Sequence, residues 1–161
     1  MGRTPGFARG ALPYPGGVNP SHPIVVFDGE CALCNGFVSW LVRHDKHARF
    51  LLAGSAGDVG AAVVAAAGLD AAITASTLLV WDGTAHVRSD AVIAVARGLP
   101  WPWRAATSMR IVPRRARDGV YRFIAARRPR VVAEDPACGN PPADLVSTWR
   151  ARLATLDDVR A

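Results

Sequence analysis

The sequence predicts an α/β fold, with a small central sheet and additional C-terminal helices, on three observations. Ile24-Val25-Val26-Phe27 is a run of β-forming residues that ends at the turn signal Asp28-Gly29. From Cys31 the apolar period changes: Leu33, Phe37, Trp40 and Leu41, with Cys34 and Val38 beside them, fall at the helical spacings of three and four. Arg49-Phe50-Leu51-Leu52 then resumes a strand-like run. Strand, C-x-x-C turn, helix and strand make a βαβ unit.

Met1 to Pro23 is rich in Gly and Pro and has no apolar h-region, so residues 1–23 are expected to be a flexible leader and not a secretory signal. The domain is assigned to residues 24–130. Arg43-His44-Asp45-Lys46-His47 closes the first helix, with cations near the negative end of its dipole. An alanine-rich stretch from Ser55 predicts a second helix, stopped at Gly68. Thr77 to Trp81 is a third strand, Asp82-Gly83 a hairpin turn, and Ala85 to Arg88 the returning strand. Ser89 is expected to cap a helix through Ala96, ended by Gly98 and Pro100. A helical tail then runs from Arg104 to Val112 and from Pro113 to about Arg127, with Trp101 and Trp103 expected to pack it onto the sheet. Residues 131–161 form a C-terminal extension, with one last helix predicted from Ala143 to Leu156. No repeat or linker divides the chain.

At 161 residues, 50% hydrophobic and 20% charged, the chain has an ordinary globular composition and can bury a real core. No apolar run approaches the ~20 residues of a membrane-spanning helix, so no membrane span is expected and the cytoplasm is the expected location. The net charge is +6, and Lys46 is the single lysine. Nine of the 19 basic residues lie between Arg104 and Arg130, where Asp118 is the only acid. This segment reads as two amphipathic helices whose apolar residues, Ile111, Val112, Val120, Phe123 and Ile124, supply a packing face while the charges are solvated. An acidic partner or nucleic acid is the alternative use of the patch, but no recognised nucleic-acid motif is present and no specific nucleic-acid binding is assigned.

Three cysteines are too few for a disulfide-stapled scaffold, and two of them form the C-x-x-C pair Cys31 and Cys34. Two intervening residues put both sulfurs on one face of a first helical turn. The positive helix end and its free N–H groups favour a thiolate at Cys31, which is expected to lie exposed and to attack, with Cys34 one turn deeper as the resolving thiol. Asp28 and Glu30 add negative charge nearby, so only a modest activation of Cys31 is expected. Asp28 either relays a proton to or from Cys34 or shapes the turn. The rival reading is a zinc module in which Cys138 and His44 or His47 join the pair, but no second C-x-x-C exists and no metal ligand is assigned. Cys138, in a Pro-Ala-Cys-Gly-Asn loop, is expected to be inert, with a third redox thiol as the alternative.

Val26-Phe27-Asp28-Gly29-Glu30-Cys31-Ala32-Leu33-Cys34-Asn35-Gly36-Phe37 closely resembles the opening motif of the DCC family of predicted thiol–disulfide oxidoreductases, named for an Asp followed by a C-x-x-C pair. The likeness continues through Arg49-Phe50, Asp82-Gly83, Ser89-Asp90-Ala91-Val92 and the stretch from Ile111 to Arg122. The resemblance implies a thioredoxin-like three-layer fold and redox activity at Cys31 and Cys34, with Asp28 the aspartate of the family's name. No organic cofactor is implied, since the electrons reside in the cysteine pair, and the partner would be a protein or a low-molecular-weight thiol or disulfide. The pair is not set in the Trp-Cys-Gly-Pro-Cys of thioredoxins, and Ala75-Ser76 stand where thioredoxins place a proline before the third strand.

Overall fold

β1 (Ile24–Phe27) is buried along its whole length, and its alternating side chains divide the interior into two halves. Val25 and Phe27 face one cluster with Leu41, Val38 and Trp149, whereas Ile24 and Val26 face the other with Val63 and Val159. The computed structural model describes residues 21–75 and 77–160, so most of the leader expected at 1–23, and Ser76, lie outside the described residues.

β1 leads through Cys31 into α1 (Ala32–His44), and the chain returns as β2 (Leu51–Gly54), parallel to β1. α2 (Asp58–Ala66) stops before Gly68, whose φ of +63° is the left-handed conformation glycine adopts freely. After the short α3 (Ala71–Thr74), β3 (Leu79–Trp81) and β4 (Ala85–Val87) form the hairpin turned at Asp82-Gly83. The sheet order is β2-β1-β3-β4, with β3 antiparallel to β1. α1, α4 (Ser89–Gly98) and Trp149 cover one face of the sheet; α2 and α7 (Leu156–Arg160) cover the other. The fold is thioredoxin-like, with C-terminal helices added to it.

Three expectations are corrected. Ser89 is the first residue of α4, not its cap: the cap position is Arg88, and the Ser89 hydroxyl is donated to Asp118. The segment Trp103–Ile111 is a 3-10 helix; Thr107 and Ser108 donate their hydroxyls to the carbonyls of Arg104 and Ala105, three residues back. Trp103 packs edge-on against Trp40 of α1, while Trp101 stays 78% exposed and packs nothing onto the sheet.

The larger correction concerns α5 (Arg114–Ala125). Its charged side faces the domain: Arg114 and Arg117 pair with Asp90, Asp118 takes the Ser89 hydroxyl, and the Tyr121 hydroxyl accepts the Leu78 N–H. Those polar groups find partners at the start of α4 and just before β3, so Val120 and Phe123 point outward, 61% and 59% exposed. The final helix is also split, into α6 (Val146–Arg150) and α7, because Leu52 donates to Arg152 O and accepts from Ala154 N, both at 2.8 Å. Those groups join the edge of the sheet, and the helix cannot keep them.

Candidate active site

The first turn of α1 starts at Cys31, which has the extended backbone of an N-cap residue (φ −102°, ψ 116°). Its sulfur accepts the backbone N–H of Cys34 at 3.2 Å, the place a serine or aspartate oxygen takes at other helix starts. Negative charge on that sulfur meets both the free N–H and the positive end of the helix dipole. Cys34 is placed oppositely. Burial first, then a hydrogen bond to the Cys31 sulfur and the charge on it, push the Cys34 thiol up to about 12. Arg128, whose Nη1 lies 3.8 Å from the Cys34 sulfur, and the backbone N–H of Asp28 pull the other way.

Cys31 is not exposed. Its residue exposure is 0%, against 8% for Cys34, which reverses the expected order of access. The cause is a strap one hundred residues downstream: Ala32 N donates to Pro129 O at 3.1 Å, Val131 N donates to Glu30 O at 2.8 Å, and Cys31 and Arg130 face each other in an antiparallel bridge. The opening beside the pair belongs to Cys34, which lines a pocket of about 240 Å³ with Leu33, Phe37, Tyr121 and Ile124.

Asp28 is buried at the end of β1 and holds the strap. Its Oδ2 takes Arg130 Nη1 at 2.7 Å, while its Oδ1 accepts the Glu30 N–H at 3.0 Å and shapes the turn. Asn35, which entered the sequence reading only as part of the motif, pins the same loop: its amide donates to Gly29 O at 2.7 Å and Cys31 O at 2.9 Å, and its oxygen accepts from Asn140 N at 2.8 Å. Gly29 is required by close approach, because a β-carbon there would lie 2.1 Å from Pro136 O.

Two of the candidate zinc ligands, His44 and Cys138, are engaged elsewhere. His44 lies tilted against Trp40 and edge-on to Trp103, and its Nδ1 lies 2.7 Å from Trp40 O. The Cys138 thiol donates to Asp135 at 3.1 Å. Among the described residues, no three His, Cys, Asp or Glu side chains gather as a metal site.

The family model for DCC1-like thiol-disulfide oxidoreductases matches residues 25–133, from β1 through the strap. The chain belongs to that family. It is 31% identical over 122 residues to the uncharacterized protein YuxK of Bacillus subtilis, covering 76% of this chain and 89% of that protein. It is 27% identical over 118 residues to the DCC family protein At1g52590, chloroplastic, of Arabidopsis thaliana, covering 72% and 68%. No solved structure matches it. Among the described residues, no helix of this DCC1-like chain is long and apolar enough to cross a membrane.

The strap gives this DCC1-like site its first test. Replacing Arg130 by alanine removes the ion pair to a buried carboxylate, a contact worth roughly 1–2 kcal/mol. Alkylation of Cys31 by a neutral reagent, followed by mass spectrometry of its peptide, is expected to quicken about tenfold. Loss of a nearby cation disfavours the thiolate and so slows alkylation; a faster reaction therefore reports exposure. A rate that does not rise once it is compared at equal thiolate fraction, read from the pH profile of each protein, means that Arg130 does not hold the strap closed.

Proposed function

We propose that the protein is a thiol–disulfide oxidoreductase in which Cys31 and Cys34 alternate between dithiol and disulfide, acting on a protein or a low-molecular-weight disulfide. The observation that carries this reading is the Cys31 sulfur at the N-cap of α1, accepting the Cys34 N–H while the Cys34 thiol hydrogen-bonds to it. The strap 129–131 moves aside and the Cys31 thiolate attacks one sulfur of the partner disulfide, whose other sulfur leaves as a thiolate. Cys34 gives up its proton and attacks the Cys31 sulfur of the mixed disulfide, releasing the second partner thiolate and closing Cys31–Cys34. One disulfide is reduced to two thiols, and the pair supplies both electrons.

Asp28 has two parts in this reading. In the closed form it holds Arg130; when the strap lifts, its carboxylate is released beside the pair and takes the Cys34 proton. The test is direct. In a Cys138→Ser background, oxidation by a small disulfide followed by digestion should give a peptide containing Cys31 and Cys34 with two hydrogens fewer, restored by dithiothreitol. A protein whose two thiols stay reduced over a wide range of redox buffers is not an oxidoreductase of this kind.

A further inference from the structure

The pocket at Cys34 adjoins a second cavity. The first, of about 240 Å³, has Leu33, Leu78, Val92 and Ile124 in its walls with Cys34 and Arg128. The second, of about 370 Å³, carries Arg88, Arg122 and Arg128. Both include Tyr121, Ala125 and Arg128, so the apolar slot opens beside a basic one. Among the described residues, no carboxylate forms an ion pair with Arg88, Arg122 or Arg128, whereas Arg43, Arg117 and Arg152 each pair with one and Arg114 and Arg130 with two.

We infer that the two adjoining cavities are the substrate subsite, and that they take a low-molecular-weight disulfide, or its thiol, with an apolar body next to the sulfur and anionic groups beyond it. This rests on the exchange reading above and names its substrate class. The slot at Cys34 offers hydrocarbon and aromatic walls to the group bonded to sulfur. Three guanidinium groups that no carboxylate holds in an ion pair lie where the far end of that molecule would reach, Arg128 also feeling the charges of Cys31, Cys34 and Asp28, and guanidinium suits carboxylate and phosphate oxygens. Arg88 adds an independent sign. Its φ of +55° with ψ of −123° is a conformation that residues with a β-carbon rarely adopt, and such strain gathers where a side chain is held for a purpose.

The exchange leaves the bound molecule as two thiols and the protein as the Cys31–Cys34 disulfide, so the rate can be read from the thiol released. Reduced protein carrying Cys138→Ser is mixed with dithiobis(nitrobenzoate), an aromatic disulfide with a carboxylate on each ring, or with dithiodipyridine, its uncharged counterpart. Each rate is divided by that of free dithiothreitol with the same reagent. The ratio of anionic to neutral rates is the preference of the site. In Arg88→Gln/Arg122→Gln it is expected to fall about tenfold. In Arg110→Gln/Arg115→Gln, which removes two exposed arginines outside both cavities, the preference is expected to hold. Should the strained position make the first variant fail to fold, Arg122→Glu on the exposed side of α5 is expected to lower the preference in the same direction. A preference unchanged in the cavity variants, or lowered equally by the outside pair, overturns the subsite, the latter result pointing to general attraction by a cationic surface. A protein oxidised by neither reagent overturns the exchange reading itself, and the subsite with it.

Discussion

A Cys31→Ser exchange is expected to slow disulfide reduction by roughly two to three powers of ten, while Cys34→Ser accumulates a mixed disulfide on Cys31. The difference follows from where each sulfur holds charge. Cys31 accepts an N–H at the positive end of α1. Cys34, its thiol pushed up to about 12 by burial first, stays protonated at neutral pH. Burial alone does not set that value, since the hydrogen bond and the charge of Cys31 also raise it. Both of these disappear when Cys31 is bonded to a substrate sulfur. Cys34 then ionises more readily at the step that needs its thiolate, and the same relief leaves Cys31→Ser a small residual activity. The closing step consumes a thiolate, and because burial still holds the Cys34 thiol above its ordinary range, it is expected to quicken with pH throughout the interval from 7 to 9. Rapid mixing with a chromogenic disulfide, followed by acid quench and mass spectrometry, reads both steps. If Cys34→Ser is inactive and Cys31→Ser forms a stable mixed disulfide, the roles are reversed and attack occurs at the sulfur that lines the pocket.

How far the sequence carries this chemistry depends on the distance along the chain over which each feature is built. β1, α1 and β2 are local: four apolar residues, a turn at Asp28-Gly29 and a change of period are all written within about thirty residues of one another. The N-cap at Cys31 is local too, since the spacing of Cys34 puts its N–H within reach. The burial of Cys31 is not. It depends on Pro129–Val131, and the arginine that latches this strap looked like one member of a surface charge run. The inverted packing of α5 was hidden for the same reason, because its partners Asp90 and Ser89 lie two dozen residues upstream and a periodicity reveals two faces without saying which one is covered. Arg88 and Arg122 carried no signal of their own; only the cavity that gathers them with Arg128 sets them apart.

The second large effect lies at the far end of α1. Arg152→Met is expected to destabilise the fold by about 3–5 kcal/mol, with the urea midpoint falling accordingly. Asp45 ends α1 and is almost wholly buried, as is Arg152. Arg152 Nη1 reaches Asp45 Oδ2 at 3.0 Å and its Nη2 donates to Asp45 O at 2.7 Å, while Phe50 N donates to the same Oδ2 at 3.0 Å. Removing the guanidinium leaves a buried carboxylate with a single neutral donor, and the desolvation of that charge is no longer offset. The backbone of Arg152 also receives Leu52 N at the edge of the sheet, so the side chain and the main chain of one residue tie α1 to β2. If desolvation of the charge is the cause, Asp45→Asn/Arg152→Met should recover a large part of the loss, because an uncharged amide at position 45 still accepts from Phe50 without a buried charge. A loss below about 1 kcal/mol in the single variant means that water reaches Asp45 and the pair is not sealed. A double variant as unstable as the single one assigns the effect to packing of the arginine stem, not to charge.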